Sequence, residues 1–416
     1  MRIEVVNTGT ELLLGKVVNT HAAYFGQELF KLGLRVQRQV TIPDGNDIRT
    51  VLEDAFSRCD AILITGGLGP TNDDITREVV AEMLGRDLHL DEEILETINE
   101  MFRSRGLLAN RSNDRQAMVP EGAEVLPNPH GTAPGLYLPA TNDGVKTTPH
   151  LFLVPGPPRE LKPMFAEEVQ PRLSALRDPD DRADIWHNFR IYGVGESSLA
   201  SKLEPLLEPI EELELGYCAR LGEVDLRLIG PSAAIDVASE IVRAEYEEEI
   251  IAESEDPIEQ VIQILLSERG ETVATAESCT GGNIASTITN ASGSSAVFRQ
   301  GYVTYANEAK IELLGVSEDT LEAHGAVSEP VVREMAEGCL RVSGADHAIA
   351  VSGIAGPTGG TEEKPVGTVY IAIASRDTET FAKRYFSPSD RVSFKMRVTR
   401  LVLDLLRRRL RGFSLD

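Results

Sequence analysis

The chain has 416 residues, 42% of them apolar and 26% charged, enough for two or three soluble domains with sizeable cores. Acidic residues number 66 against 41 basic ones, a net charge of −25, and aromatics make up only 5%. That balance argues against a general nucleic-acid binder, whose affinity comes from neutralising phosphates, yet it allows a small phosphorylated ligand in a locally positive pocket. In chain order, Met1–Asn7 reads as a strand without a basic leader or cleavage site. A helix around Ala22–Leu32, a strand Ala61–Thr65, a helix Thr76–Leu84 and a strand Leu151–Val154 follow. This alternation over 1–165 predicts a parallel α/β sheet.

From 166 to 253 the chain is more acidic and reads as a small α+β module, with a helix near Ser197–Leu206, a strand near Glu223–Ile229 and a helix Ser232–Ile250. Ala252–Pro257 reads as a polar linker ending in a helix-starting proline. Residues 257–416 return to α/β: helix Ile258–Arg269, strand Thr272–Ala276, helix near Gly282–Thr289, strands near Ala348–Val351 and Val369–Ala374, and a closing helix from Arg391 to Leu410. The expected fold class is therefore α/β, two three-layer α/β domains joined by the small α+β module. No apolar run is long enough to span a membrane. Cys59, Cys218, Cys279 and Cys339 are scattered without metal-ligand spacing, which fits small buried residues in a reducing cytoplasm.

Three fragments of the last region carry chemistry. Ala276-Glu277-Ser278-Cys279-Thr280-Gly281-Gly282 ends a strand and opens a helix, where free N–H groups are expected to hold a phosphate or an oxyanion. Gly301–Lys310 runs from strand to helix, with Tyr305 at the junction and Lys310 in the first turns. The helix dipole disfavours a cation there. Ser352–Gly360 is a glycine-rich loop after a strand, where open α/β sheets bind ligands. Each alone is an ordinary turn; together they suggest one pocket.

These fragments, with His324–Pro330 (HGAVSEP), Gly353–Pro357 (GIAGP) and Lys364–Thr368 (KPVGT), closely resemble the CinA C-terminal domain, the nicotinamide-nucleotide amidase family, over essentially all of 257–410. The resemblance implies metal-free hydrolysis of nicotinamide mononucleotide (NMN) to nicotinate mononucleotide and ammonia. It makes Ser278 the nucleophile, Lys310 the general base and Tyr305 a hydrogen-bonding assistant. A serine needs an adjacent base, and a lysine serves when burial lowers its pKa. His324 is the one histidine inside these motifs, so a Ser–His dyad is the less natural reading. Glu277, Thr280, Gly281, Ser352 and Gly353 are expected on the substrate. The family's loop usually has Thr where this chain has Ser352, and the N–H groups of Ser352 and Gly353 are candidates for the oxyanion hole. Arg391 is the choice for the substrate phosphate, with Arg397 or Arg400 as alternatives.

In the first region, Ala61–Thr65 runs into Gly66-Gly67-Leu68-Gly69-Pro70-Thr71-Asn72-Asp73-Asp74. Thr71 or Asp74 suits a helix cap, and two carboxylates suit Mg²⁺ beside a diphosphate. With Gly9–Gly15, Asn128–Gly135 and Val154–Glu160 this resembles the CinA N-terminal domain, related to molybdopterin-binding proteins of the MogA and MoeA kind. The resemblance implies an ADP-ribose pyrophosphatase needing a divalent metal and stimulated by K⁺. Gly66, Gly67, Gly69, Thr71, Asp73, Asn128, Gly131, Thr132 and Pro134 would bind the nucleotide, and Asp73, Asp74 and Glu11 the metal. A pterin- or nucleotide-binding domain without catalysis is the alternative, as is a competence-associated interaction protein. The middle module resembles the KH-like domain of CinA, but Gly193-Val194-Gly195-Glu196 lacks a GXXG loop with basic flanks, so a spacer or dimerisation role is expected rather than nucleic-acid binding. The expected assembly is a homodimer acting on NMN and ADP-ribose, away from membranes.

Overall fold

The structure is a computed structural model describing all residues except 46, 108–109, 143–146, 179–183 and 416. It divides into two compact units, Met1–Ile185 and Trp186–Asp416.

In the first unit the elements are β1 (Ile3–Thr8), α1 (Thr20–Lys31), β2 (Val36–Ile42), α2 (Asp47–Phe56), β3 (Ala61–Thr65), α3 (Thr76–Leu84), α4 (Glu92–Ser104), β4 (Glu124–Leu126), β5 (Gly135–Leu138), β6 (His150–Val154), α5 (Pro158–Met164) and α6 (Gln170–Leu176). The sheet order is β2-β1-β3-β6-β5-β4. The first four strands are parallel, but β5 runs antiparallel to both of its neighbours, β6 and β4, so the expected parallel sheet becomes a mixed one. The added strands are short and come from loops too irregular to show a period. One face packs on Phe25 and Leu29 of α1 and on Leu161 and Phe165; the other packs on Ile48 and Leu52 of α2 and on Val80 of α3. Two apolar faces explain why β3 is buried throughout, and why it reads as a continuous apolar run. The domain boundary expected at 165 falls inside a packed helical run. Val169 and Leu173 join the same core, so the first unit continues to Ile185.

The second unit begins with β7 (Ile185–Tyr192), α7 (Glu196–Leu207), β8 (Glu214–Ala219), β9 (Glu223–Gly230), α8 (Ser232–Tyr246) and β10 (Ile250–Ala252), with sheet order β8-β9-β7-β10. The helix expected to reach Ile250 stops at Tyr246, and Ile250 enters an edge strand antiparallel to β7. Ile251 of that strand already packs in the core of the last domain. The expected linker is pinned too: Asn188 donates to the Ser254 carbonyl and Arg190 to that of Asp256.

The last domain comprises α9 (Ile258–Arg269), β11 (Val273–Glu277), α10 (Asn283–Thr289), β12 (Phe298–Val303), α11 (Asn307–Leu314), α12 (Glu318–His324), α13 (Glu329–Ser343), β13 (His347–Gly353), β14 (Thr368–Ser375), β15 (Phe381–Phe386) and α14 (Arg391–Arg411). The order is β12-β11-β13-β14-β15, with β12, β11 and β13 parallel and β14 antiparallel to both of its neighbours. Alternation along the strands sorts side chains by size. Ile349, Val351, Ile371 and Ile373 face α9 and α14, whereas Ala274, Ala276, Ala348, Ala350, Ala372 and Ala374 face α13. The small face carries α13, and α13 in turn lies close to α11: a Cβ on its Gly338 would stand 2.0 Å from the Leu314 carbonyl oxygen. The three parallel strands end together, bringing Ser278, Thr304 and Gly353 to one edge.

Candidate active sites

At that edge the chain leaves β11 at Glu277 and β12 at Val303. The Ser278 N–H donates to the Val351 carbonyl and the Thr304 N–H to the Glu277 carbonyl, so both loops remain in register with the sheet. Lys310, one turn into α11, points back over this junction and is only 1% exposed. Its Nζ lies 3.4 Å from Ser278 Oγ, 2.8 Å from the Thr304 carbonyl oxygen, and 3.4 and 3.5 Å from those of Tyr305 and Ala306. Burial lowers its pKa below the ordinary 10.5. Cys279 offers no counter-charge, because burial pushes its thiol up to about 12 and keeps it neutral. A neutral amine in this cage can give two N–H bonds to carbonyls and aim its lone pair at the Ser278 hydroxyl.

Other expected residues take different places. The Glu277 carboxylate is 1% exposed and accepts from Thr280 Oγ1 (2.6 Å) and from the N–H groups of Gly282, Ile284 and Ala285 (2.8–3.0 Å). Glu277 and Thr280 are thus an internal cap on α10, not substrate contacts. The helix-start N–H groups expected to meet an anion are occupied by the protein's own carboxylate. Ser352 is buried and donates to the Ala326 carbonyl at 2.6 Å, tying β13 to the HGAVSEP loop instead of facing substrate. Ser352 and Gly353 both lie within the β13–β14 ladder, opposite Tyr370 and Val369. A Cβ on Gly353 would come within 2.8 Å of the Thr368 carbonyl oxygen, so strand packing already requires a glycine there. The Tyr305 hydroxyl is exposed and accepts a 3.0 Å bond from Arg391. It is Tyr305's carbonyl, not its ring, that faces Lys310.

Arg391 also donates to the Gly356 carbonyl, which sets its guanidinium between the tyrosine and the glycine-rich loop. Arg400 is committed elsewhere, to Glu259 at 3.0 Å and Glu223 at 3.6 Å. Sequence reasoning missed Lys395, one turn after Arg391. Its Nζ lies 3.6 Å from where a Cβ on Gly281 (φ +61°) would stand, and it has no carboxylate partner among the described residues. The i, i+4 spacing from Arg391 was the available signal. Arg391 and Lys395 together make a locally positive patch at the start of α14.

In the first unit, β1 and β3 deliver Thr8 and Gly66 to a cavity of about 390 Å³. The loop after β3 is held from beneath by Arg77, fully buried, which donates to the Leu68 and Arg115 carbonyls; Arg115 in turn holds the Thr71 carbonyl. Gly67 (φ +66°) leaves no room for a side chain, since its Cβ would meet Thr76 Oγ1 at 2.0 Å. Gly66, Gly69, Thr71, Asp73, Asp74, Glu11 and Thr132 border this cavity as expected. Asn128, Gly131 and Pro134 instead border a neighbouring cavity of about 570 Å³, which shares Thr132. Thr132 borders both cavities.

Among the described residues, five carboxylates (Glu11, Asp44, Asp73, Asp74 and Glu160) and no Lys or Arg border the first cavity. The Thr71 hydroxyl touches carboxylate oxygens of both Asp73 and Asp74. Asp74 Oδ2 also accepts the Thr71 backbone N–H at 3.0 Å, so the loop's own donors hold both carboxylates side by side. No cluster of three or more His, Cys, Asp or Glu side chains that could hold a metal occurs among the described residues. A metal here would complete its shell with phosphate oxygens and water, as Mg²⁺ commonly does. Among the described residues no helix is long and apolar enough to cross a membrane.

Two α/β domains with candidate sites at their sheet edges, joined in sequence through a small α+β module, define a class of three-part protein, and the comparisons agree on that division. Residues 4–175 match the family model "Probable molybdopterin binding domain", 187–256 "Damage-inducible protein CinA KH domain" and 255–410 "CinA C-terminal domain". A CinA-like protein of Akkermansia muciniphila is 47% identical over 405 residues, covering 97% of this chain and 96% of its own length. A protein of Symbiobacterium thermophilum with a competence-damage inducible name is 46% identical, covering 99% and 100%. The crystal structure of competence/damage inducible protein CihA from Agrobacterium tumefaciens is 42% identical over 36% of this chain and 91% of its own, with a TM-score of 0.35. The chain belongs to the CinA family.

Proposed function

We propose that the C-terminal domain is a nicotinamide-nucleotide amidase, converting NMN and water to nicotinate mononucleotide and ammonia. The observation that carries this reading is the buried Lys310 amine 3.4 Å from the Ser278 hydroxyl, with its pKa lowered by that burial. Neutral Lys310 takes the Ser278 proton as Oγ bonds to the carboxamide carbon. The resulting ammonium gives that proton to the departing nitrogen as the C–N bond breaks, leaving an acyl ester on Ser278. Water then attacks the ester, with Lys310 accepting its proton and returning it to Ser278 Oγ. Arg391 and Lys395 hold the phosphate and so fix the carboxamide over Ser278.

The cluster of Asp73, Asp74 and Thr71 favours a second activity for the N-terminal domain, a metal-dependent ADP-ribose pyrophosphatase. An anionic diphosphate can enter a cavity of five carboxylates only with cations. Asp73 and Asp74 would hold the divalent ion, which supplies charge neutralisation for the diphosphate, and Glu11 borders the same space. One experiment tests both. With Ser278→Ala, ammonia release from NMN should stop while ADP-ribose cleavage persists; with chelator the pattern should reverse. If Ser278→Ala deamidates at the wild-type rate, the nucleophile is another group.

A further inference from the structure

The second cavity of the N-terminal domain, about 570 Å³, differs in kind from the carboxylate-lined one beside it. Along α4, Ile94, Ile98 and Met101 follow at i, i+4 and i+7, so one apolar stripe of that helix borders the space. Pro127, Pro129 and Pro134 add further apolar wall. The charged groups at its border, Asp91, Glu93, Glu167 and Glu168, are all acidic, with no Lys or Arg among the described residues. The loop that carries these prolines is fixed from within. Asn128 Nδ2 donates to the Ala133 carbonyl at 2.7 Å and to Glu160 at 2.9 Å, and its Oδ1 accepts the His130 N–H at 3.1 Å. Asn128 is thus committed to the loop itself, and Thr132 of the same loop borders both cavities.

A phosphate finds no cation in this second space, and the carboxylates around it repel one. A neutral flat ring suits it better. Apolar side chains cover the faces of such a ring, and carboxylates at the border accept from amine N–H groups on its edge. A volume of about 570 Å³ is that of a small-molecule pocket. Because the two spaces meet at Thr132, one ligand with an anionic and an aromatic half can occupy both. We propose that the second cavity takes the heteroaromatic base of a nucleotide, adenine in the case of ADP-ribose, while the diphosphate and its cation stay at the Gly66–Thr71 loop. This rests on the nucleotide reading of the domain and adds the pocket that selects for a base.

The test is calorimetric titration of the full chain in Mg²⁺ with two probes that resist cleavage. One is ADP-ribose with a methylene bridge in place of the diphosphate oxygen; the other is methylenediphosphonate, which keeps the charges and has no base. Ile94 and Met101 are half-buried, so Ile94→Ala with Met101→Ala strips apolar wall without opening the core, and thermal melting checks that the variant folds. The ADP-ribose analogue should bind about 10–100-fold more weakly to the double variant, and methylenediphosphonate as it does to the wild type. The negative heat-capacity change of binding the analogue should shrink in parallel, since less apolar surface is covered. A folded variant that holds the analogue at wild-type affinity overturns the placement of the base and leaves the apolar cavity to another occupant, such as a protein segment. Equal weakening of both probes overturns it too. A wild-type chain that does not bind the ADP-ribose analogue refutes the nucleotide reading itself, and this inference with it.

Discussion

Replacing Lys310 with methionine isolates the base from the fold. Methionine fills nearly the same volume at a position 1% exposed, but it removes the amine from Ser278 and from the carbonyls of Thr304, Tyr305 and Ala306. The shortest lost bond, 2.8 Å to Thr304, leaves a buried acceptor unpaired at about 1–3 kcal/mol. Burying a thioether instead of an amine recovers about 1–2 kcal/mol. The variant should therefore melt close to the wild type. Catalysis behaves otherwise: a positioned base contributes about 10²–10⁴-fold, and nucleophile and base act as one unit. Lys310→Met should lose most of what Ser278→Ala loses, and the double variant should be no worse than the poorer single one. For the wild type, the neutral amine is the active form. Log kcat/KM for ammonia release should climb with pH and level off at a pKa below 10.5. A Lys310→Met protein that keeps more than about a hundredth of wild-type kcat/KM with the same pH profile would refute the assignment.

Two further outcomes separate structural from substrate roles. Glu277→Gln should destabilise the last domain by about 3 kcal/mol in urea unfolding, because three N–H groups and a hydroxyl lose a charged acceptor; a substrate contact would instead raise KM with the melting point unchanged. Arg391→Ala should raise KM for NMN about 10–100-fold while barely altering hydrolysis of the phosphate-free riboside, and equal losses on both would place the phosphate elsewhere.

Much of the architecture is legible because long apolar runs and caps announce themselves. The bounds of β3, α3 and α9 agree with the periodicity and turn signals that predict them. Ser278 and Lys310 are also readable, since strand-to-helix junctions at adjacent parallel strands meet at one edge. What is not readable is side-chain direction within a strand buried on both faces. Glu277 sits beside Ser278 in sequence yet turns inward to cap α10, although an acid just before a glycine-led helix was a usable hint. Arg400 is lost to partners 141 and more residues away, which no local pattern reveals.

The closing helix α14 carries Arg391 and Lys395 at its start. Its far end grips the middle module: Arg407, fully buried and paired with Asp404, donates to the Glu248 and Ile250 carbonyls, and Arg411 to those of Ile250 and Ile251. At 1.5 Å per residue the 21-residue rod is about 31 Å long. One lever arm thus has its handle on the edge strand of one sheet and its tip among the cations beside Ser278. A displacement of that strand would be carried along one helix to the cations beside Ser278, bypassing the central sheet.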